Sequence, residues 1–192
     1  MTTRLEAQFA FLGEMDRLKS VSRATLLHDG SRAENSAEHS WHIMLHALVL
    51  AEHADPPVQI DHVLRLLMVH DIVEIDAGDA PIHGVFDAEA LARAEAKAAD
   101  RLFALLPSDQ TQQLRALWDE FEAAQTPEAR FAKAIDRVPA PLANIATGGG
   151  SWRDYGVTLD QLDTRVGVPI ARGAPAIWGW LRPKIQAFFN AS

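Results

Sequence analysis

Cysteine is absent from this chain of 192 residues. Its absence excludes disulfide bonds, thiolate zinc sites and cysteine nucleophiles, and it makes a reducing cytoplasm the compartment that we expect. Basic side chains are also few, with 18 against 26 acidic ones, so the formal net charge is −8. Because such a surface repels polyanions, we expect neither a nucleic-acid polymer nor an anionic membrane as a partner.

Long apolar runs are missing as well. The sequence contains no run long enough to span a membrane, and its first residues show no secretory signal. We therefore expect a soluble protein. With 48% hydrophobic and 23% charged residues, the chain can bury a full core, which predicts a single domain over residues 1–192. We expect its core at 18–146, with C-terminal helices at 158–189 packing on it.

Apolar residues recur at helical spacing almost throughout, which predicts an all-α fold. Leu5, Phe9, Leu12 and Met15 follow steps of four and three, as on one face of a helix. The polar stretch 21–35 is interpreted as a loop, and no strand is predicted. Later helices are predicted at about 36–53, 58–74, 87–106, 108–124, from 127 past 136, 158–172 and 175–189, and a loop is predicted at 151–156. Ser36 and Thr126 are predicted to cap the helices that begin at 36 and 127.

Titratable residues interrupt one of these apolar helices. His70, Asp71 and Glu74 lie in the segment Leu-Leu-Met-Val-His-Asp-Ile-Val-Glu. Burying such groups unpaired costs several kcal/mol per charge, so a compensating partner is required. An ion pair with Arg65 or Lys133 is one interpretation, and a bound cation is the other.

A third acid and a second histidine favour the cation. Asp136 lies on another largely apolar helix, and His39 lies near the start of the helix predicted from residue 36. Two imidazoles and two carboxylates are suitable donors for a divalent metal ion. We therefore predict one metal site between central helices, with His39, His70, Asp71 and Asp136 as its ligands.

Other histidines have a plainer interpretation. His42, His46 and His53 follow His39 along one helical stripe, which is typical of a half-buried helix edge. A single metal ion is the simpler hypothesis. A second ion remains an alternative, and His42 or His83 could supply a ligand to it.

Five stretches of the chain are similar to one known family in order and spacing. The order His…His-Asp…Asp on helices resembles the HD-domain superfamily of metal-dependent phosphohydrolases. The stretches resemble its 5′-deoxynucleotidase branch, which includes the YfbR-like enzymes and the HD-domain-containing protein 2 group. This resemblance covers about residues 18–136. The stretches are Leu18–Arg23, Ala37–Trp41, Val69–Glu74, Gly78–Asp79 and Ala129–Asp136.

This resemblance implies the hydrolysis of a nucleoside 5′-monophosphate to nucleoside and phosphate, with a divalent transition metal (Mn, Co, Fe, Ni or Zn) as cofactor. It implies that Glu74 is the acid/base carboxylate and that Asp79 lies near the attacking water and the sugar. It also implies that Arg23 binds the phosphate. Family members often carry a tryptophan shortly after this arginine, whereas Ala24–Leu27 stand here. The sugar preference therefore stays open.

Three alternatives are compatible with the sequence. The chain could be another HD-type hydrolase or a di-iron oxygenase, or it could be a non-enzymatic helical module whose metal ties three helices together. The last predicted helix is unusually aromatic, with Trp178, Trp180, Phe188 and Phe189. These side chains indicate either core packing or a dimer interface, and the resemblance implies a homodimer.

Overall fold

Helices make up most of the structure, a computed structural model that describes residues 3–191. The prediction of an all-α fold is confirmed apart from one small hairpin. The ends of the predicted domain, residues 1, 2 and 192, lie outside the described residues. The helices are α1 Arg4–Met15, α2 Ser36–Leu50, α3 Ile60–Val69, α4 Glu74–Ala77, α5 Ala88–Phe103, α6 Ser108–Ala123, α7 Pro127–Asp136, α8 Pro139–Ala146, α9 Gly150–Asp154, α10 Leu159–Leu162, α11 Val168–Gly173 and α12 Pro175–Ala191.

The hairpin corrects the prediction that the chain has no strand. Strand β1, Ser22–Leu26, pairs antiparallel with β2, Ala33–Asn35, inside the stretch that was predicted to be a loop. Gly30 has a positive φ of 70° in the connection, a conformation that favours glycine. Neither strand shows a full alternation of apolar and polar residues. In β2 the buried side chain is a charged one, Glu34. The usual sequence signal of a strand was therefore missing.

Capping side chains determine where two helices of the candidate site begin. The side chain of Asn35 accepts from the backbone N–H of Glu38 at 2.9 Å, and Glu38 accepts in return from the N–H of Asn35 at 2.8 Å. The predicted cap, Ser36, is instead the first residue of α2. Thr126 caps α7 as predicted, because its hydroxyl accepts from the N–H of Ala129 at 3.1 Å. A cap of this kind stabilises a helix by about 1 kcal/mol.

Helix α3 is shorter than predicted, because it ends at Val69 and not near residue 74. The ring of His70 contributes to this end, since its Nδ1 lies 2.8 Å from the carbonyl oxygen of Leu67. The next turn is tighter than a turn of α-helix, because the N–H of Glu74 donates to the carbonyl only three residues back, that of Asp71, at 3.0 Å. His70 and Asp71 therefore lie on a turn, and Glu74 begins the short helix α4.

The C-terminal third also differs in detail from its prediction. The expected loop at 151–156 contains α9, and the expected helix at 158–172 is divided into α10, a π-helical turn at Asp163–Gly167, and α11. Buried apolar residues from Phe11 to Ile185 form one cluster that includes this third. Within residues 3–191 the structure has no helix that is both long and apolar enough to cross a membrane.

Close backbone packing holds α7 in this core. Gly173, at the end of α11, lies so near to α7 that an added Cβ would be 2.4 Å from the carbonyl oxygen of Arg130. Only glycine fits such an approach. Helix α11 therefore supports the helix whose last residue is Asp136.

Candidate metal centre and active site

Three predicted metal ligands meet between α2, α7 and the turn after α3. His39 and Asp136 are 2% and 7% exposed, and His70 is 4% exposed. One ligand atom from each of the three lies within 4.8 Å of the other two. His39 Nε2 is 3.0 Å from Asp136 Oδ1, and His70 Nε2 is 3.8 Å from the same oxygen. This arrangement could hold one cation.

The two imidazole rings are oriented as metal ligands usually are. His70 Nδ1 faces the carbonyl of Leu67, which sets Nε2 towards the acids. His70 Nε2 is buried and makes no well-aligned hydrogen bond among the described residues, although Asp71 Oδ1 lies 2.9 Å from it. On the far side of His39, Nδ1 lies 3.2 Å from the carboxylate of Glu34. A divalent cation between Nε2 and the acid oxygens would be bound by all of them, and the donors present therefore fit a metal ion.

Asp71 borders this group and does not belong to it. Its Oδ1 lies 2.9 Å from His70 Nε2, while its Oδ2 lies 3.1 Å from Arg23 Nη1. The group of three donors that lie within 4.8 Å of one another comprises His39, His70 and Asp136. The role of Asp71 as a fourth ligand therefore stays a prediction.

Charges around the three donors favour the binding of a cation. Burial would lower the pKa of His70, but the carboxylates of Asp71 and Asp136 outweigh it and raise the pKa to about 10. Burial would raise the pKa of Asp136, yet Arg137, His39 and His70 hold it well below its usual range. The pocket thus keeps its carboxylate charged and holds a positive charge where a metal ion would lie.

Arg23 connects the donors to the other predicted site residues. Its Nη1 lies 3.1 Å from Asp71, 3.4 Å from Asp79 and 3.9 Å from Glu74, and its Nε lies 3.5 Å from Glu34. Burial opposes the guanidinium charge, but these carboxylates outweigh it and raise the pKa of Arg23. The two basic side chains that the sequence suggested as ion-pair partners have other environments. Lys133 pairs with Glu122, and Arg65 is exposed.

Glu74 carries a mostly buried carboxyl group with a shifted pKa. Burial, reinforced by the Asp71 carboxylate, raises the pKa of Glu74 to about 8. The hydroxyl of Ser36 donates to its Oε2 at 2.6 Å, which favours the charged form and fixes its orientation. Burial also raises the pKa of Asp79. Carboxyl groups with such shifted pKa values are typical of acid/base sites.

These residues open on a cavity of about 240 Å³. Its wall combines the charged groups Arg23, Asp71, Glu74, Asp79 and Asp136 with the rings of Phe86, Phe121, Trp152 and Tyr155. Ala24 and Thr25, which follow Arg23, also line it. A cavity of this size fits a small molecule that carries both a charged and an apolar part.

Two residues of the site were missed in the sequence. Glu34 contacts both His39 and Arg23, and Ser36 contacts Glu74. Glu34 carried no signal, because it lies in a polar stretch without strand periodicity. Ser36 was identified, but as a helix cap.

The histidines that were interpreted as a helix edge lie outside the candidate site. The rings of His42 and His46 contact each other with centroids 4.4 Å apart, and both line a different cavity together with His53. His42 is therefore outside the candidate metal centre. His83 does line the site cavity.

The candidate site agrees with comparisons to known proteins. The family model of the HD domain matches residues 15–178. The 5′-deoxynucleotidase HDDC2 of Homo sapiens is 30% identical over 128 residues, which cover 66% of this chain and 61% of the relative. The 5′-deoxynucleotidase hdd1 of Schizosaccharomyces pombe is 31% identical over 132 residues, which cover 66% and 65%. The matched regions thus span less than two thirds of the length of these relatives.

A solved structure is similar over nearly the whole chain. The crystal structure of a predicted metal-dependent phosphohydrolase from Magnetospirillum magnetotacticum is 47% identical and has a TM-score of 0.90. The match covers 97% of this chain and 96% of that chain. Because the family model covers most of the sequence and this likeness extends over nearly all of it, the chain belongs to the HD domain family.

Proposed function

We propose that this chain is a metal-dependent phosphomonoesterase that hydrolyses ribo- or deoxyribonucleoside 5′-monophosphates to nucleoside and phosphate. The names of the relatives support the substrate class. The observation that carries the proposal is the meeting of His39 with His70 and Asp136, two residues in the wall of a cavity that Arg23 and Glu74 also line. A purely structural metal site would need neither of these last two residues.

The metal would be held by His39, His70 and Asp136, with Asp71 as the fourth ligand. Nitrogen and oxygen donors without sulfur suit Mn, Fe, Co, Ni or Zn. The general order in which such sites bind these metals does not by itself identify the one that is used. When bound, such an ion supplies Lewis acidity that polarises the phosphoryl group and lowers the pKa of the attacking water. The other steps are assigned to side chains of this chain.

Arg23 is the residue that we assign to the phosphate. Its planar guanidinium has five N–H donors, and the surrounding carboxylates hold it charged. Nη1 contacts Asp71 and Asp79 together, which aims it at the same space as the metal ligands. A phosphate dianion there would be neutralised by two or more charge-assisted hydrogen bonds.

Glu74 is assigned as the group that accepts a proton from the attacking water. Its pKa of about 8 lies near the working pH, which suits a group that must both accept and return a proton. Ser36 holds Oε2, so Oε1 is the oxygen directed to the Arg23 side of the cavity. Asp79, whose Oδ1 lies 3.4 Å from the same Arg23 nitrogen, is assigned to the same water or to a hydroxyl of the sugar.

Phosphate release tests this function directly. Chelated protein is supplied with Mn, Co, Ni, Zn or Mg in turn and offered a panel of ribo- and deoxyribonucleoside monophosphates. We expect turnover with a transition metal and none without it, and we expect Asp71→Ala to lose both metal binding and turnover. Absence of phosphate release with every metal would contradict the proposal. Substrate-dependent oxygen uptake would indicate the oxygenase alternative instead.

We further infer that the chain is a cytoplasmic homodimer of single-domain subunits. Trp180 on α12 is 56% exposed, and Trp41 and Val49 on α2 are exposed to a similar degree. Phe189, which was considered part of the same interface, packs on Trp152 instead. Light scattering after gel filtration tests this inference, and Trp180→Glu together with Val49→Glu should shift a dimer towards monomer.

A further inference from the structure

His83 lines the candidate active-site cavity but has no role in the chemistry proposed above. It lies between α4 and α5, on the loop that follows Asp79. Its Nδ1 is buried and has no hydrogen-bond partner within residues 3–191. A buried polar atom without a partner is costly unless something else binds it, so it indicates a place where a ligand binds.

The loop that carries His83 is held in place from two sides. The N–H of Gly84 donates to the carbonyl of Pro81 at 2.7 Å, which closes a tight turn around the histidine. Arg165 Nη1 donates to the carbonyl of Ile82 at 2.8 Å. Arg165 belongs to the π-helical turn Asp163–Gly167, and such turns often occur at functional sites. His83 is thus positioned by the C-terminal third of the chain.

The imidazole of His83 is uncharged at neutral pH. Burial is the main cause, and the nearby charges of Arg165 and Arg137 add to it, so that the pKa of His83 is lowered to about 4. A neutral ring has no charge with which to form an ion pair to a phosphate dianion or a carboxylate. It offers one hydrogen-bond donor and one acceptor to an uncharged polar group.

The surroundings of His83 match an uncharged but polar ligand group. The cavity wall also contains the rings of Phe86, Trp152 and Tyr155, which can pack against a flat apolar surface. A nucleoside combines a flat base with hydroxyl and amide-like groups. The phosphate end of the cavity is already defined by Arg23 and the metal donors.

We propose that His83 forms a hydrogen bond through Nδ1 to the sugar or base of the substrate and so contributes to the choice of nucleotide. This inference rests on the proposed function and assigns a specificity-determining residue to the same site. His83 is not placed among the metal ligands or the acid/base groups. Arg165 acts on it only as a positioning residue, through the carbonyl of Ile82.

The test compares two substrates that share a phosphate ester but differ in the nucleoside. The metal-loaded full-length protein is assayed with a preferred nucleoside monophosphate and with phenyl phosphate. His83→Phe keeps a ring of similar shape and removes the hydrogen bond. We expect kcat/KM for the nucleotide to fall about three- to tenfold, mainly through KM, as for the loss of one neutral hydrogen bond. The value for phenyl phosphate should stay unchanged.

Two further variants separate a direct contact from a structural effect. His83→Asn retains a donor and an acceptor, so it should recover part of the nucleotide activity that His83→Phe loses. His53→Ala removes an exposed histidine that lies outside this cavity, so it should leave both substrates unaffected. Equal losses on both substrates, or no loss on either, would overturn the role of His83. A wild-type enzyme that cleaves phenyl phosphate but no nucleotide would instead contradict the proposed function, before any variant is measured, and with it this inference.

Discussion

Arg23 Nη1 lies 3.1 Å from Oδ2 of Asp71, so the predicted phosphate contact and a predicted metal ligand touch each other. Asp71 thereby has one oxygen towards His70 and the other towards Arg23. Burial would raise the pKa of Asp71, but His70 and then Arg23 outweigh it and keep the carboxylate ionised. A phosphate that enters the cavity would replace part of this ion pair, since the guanidinium has donors left to turn towards it.

Replacing Arg23 by Ala should therefore weaken both phosphate binding and the metal site. We expect kcat/KM to fall about 10- to 150-fold, which corresponds to the loss of a hydrogen bond between charged groups worth about 1.5–3 kcal/mol. Steady-state kinetics measures this change. Arg32→Ala is the matched control, because Arg32 lies near the same hairpin but is exposed and pairs with Glu38. Equal effects of the two variants would contradict the assignment of Arg23.

Replacing Glu74 by Ala should leave the metal bound and remove the proton acceptor. We expect kcat to fall by about 10²–10⁴, while the metal content measured by mass spectrometry stays that of the wild type. Glu95→Gln provides the control, since Glu95 lines the same cavity and has no assigned role. A normal kcat in the Glu74 variant would show that its role is wrong.

Ser36 should control the pH at which the enzyme becomes active. Its hydroxyl donates to Glu74 Oε2 and favours the charged carboxylate, which lowers the pKa of Glu74 relative to burial alone. In Ser36→Ala that pKa rises. Because the acceptor must be deprotonated, the acid limb of the kcat/KM profile should move to higher pH, by about one pH unit for a charge-assisted hydrogen bond.

The control for this shift is Ser40→Ala. Ser40 is a buried serine on the same helix, but its hydroxyl donates to the carbonyl of Ser36 and not to Glu74. The acid limb should stay at its wild-type position in this variant. If Ser36→Ala lowered the rate equally at every pH, its effect would be structural only.

Metal binding should release protons. In the metal-free protein burial opposes the charge on His70, but Asp71 and Asp136 outweigh it and raise its pKa to about 10, so the ring is protonated at neutral pH. A metal ion binds only the neutral ring and must displace this proton. Affinity should then rise about tenfold per pH unit between about pH 6 and pH 8. Calorimetry in buffers of different ionisation enthalpy counts the protons, and a pH-independent affinity would contradict the assignment of His70.

Packing at Gly173 makes a separate prediction about stability. A methyl group there would meet the backbone of Arg130, so Gly173→Ala should reduce the free energy of unfolding by about 1–3 kcal/mol. Gly13→Ala is the matched control in α1, where an added Cβ meets nothing within 4 Å. It should stabilise the protein slightly, because alanine favours a helix over glycine. Denaturant unfolding followed by circular dichroism compares the two, and equal destabilisation would contradict this account.

The sequence was most informative where charged groups interrupt apolar helices. His70 and Asp136 were noticed for that reason, and the fold brings both to the wall of one cavity and next to His39. Because an unpaired buried charge is costly, each such residue requires a partner, and that partner can be far away along the chain. The all-α fold followed from the helical spacing of apolar residues and the family from five similar stretches, and both are confirmed apart from the small hairpin.

Other features depend on contacts that no local pattern encodes. The partnership of Glu34 with His39 arises from strand pairing within a polar stretch. The end of α3 at Val69 involves the side chain of His70, which bonds a backbone carbonyl as well as facing the site. The sequence suggested His83 only as a possible ligand of a second metal ion, because its loop is positioned by Arg165, more than eighty residues later.

The most direct test of the account is a crystal structure of the protein soaked with Mn²⁺ or Zn²⁺, with anomalous scattering recorded to locate the ion. The account predicts one strong peak within about 2.0–2.3 Å of His39 Nε2, His70 Nε2 and an oxygen of Asp136. An anomalous map without a peak among these three side chains, at metal concentrations that support phosphate release, would contradict it.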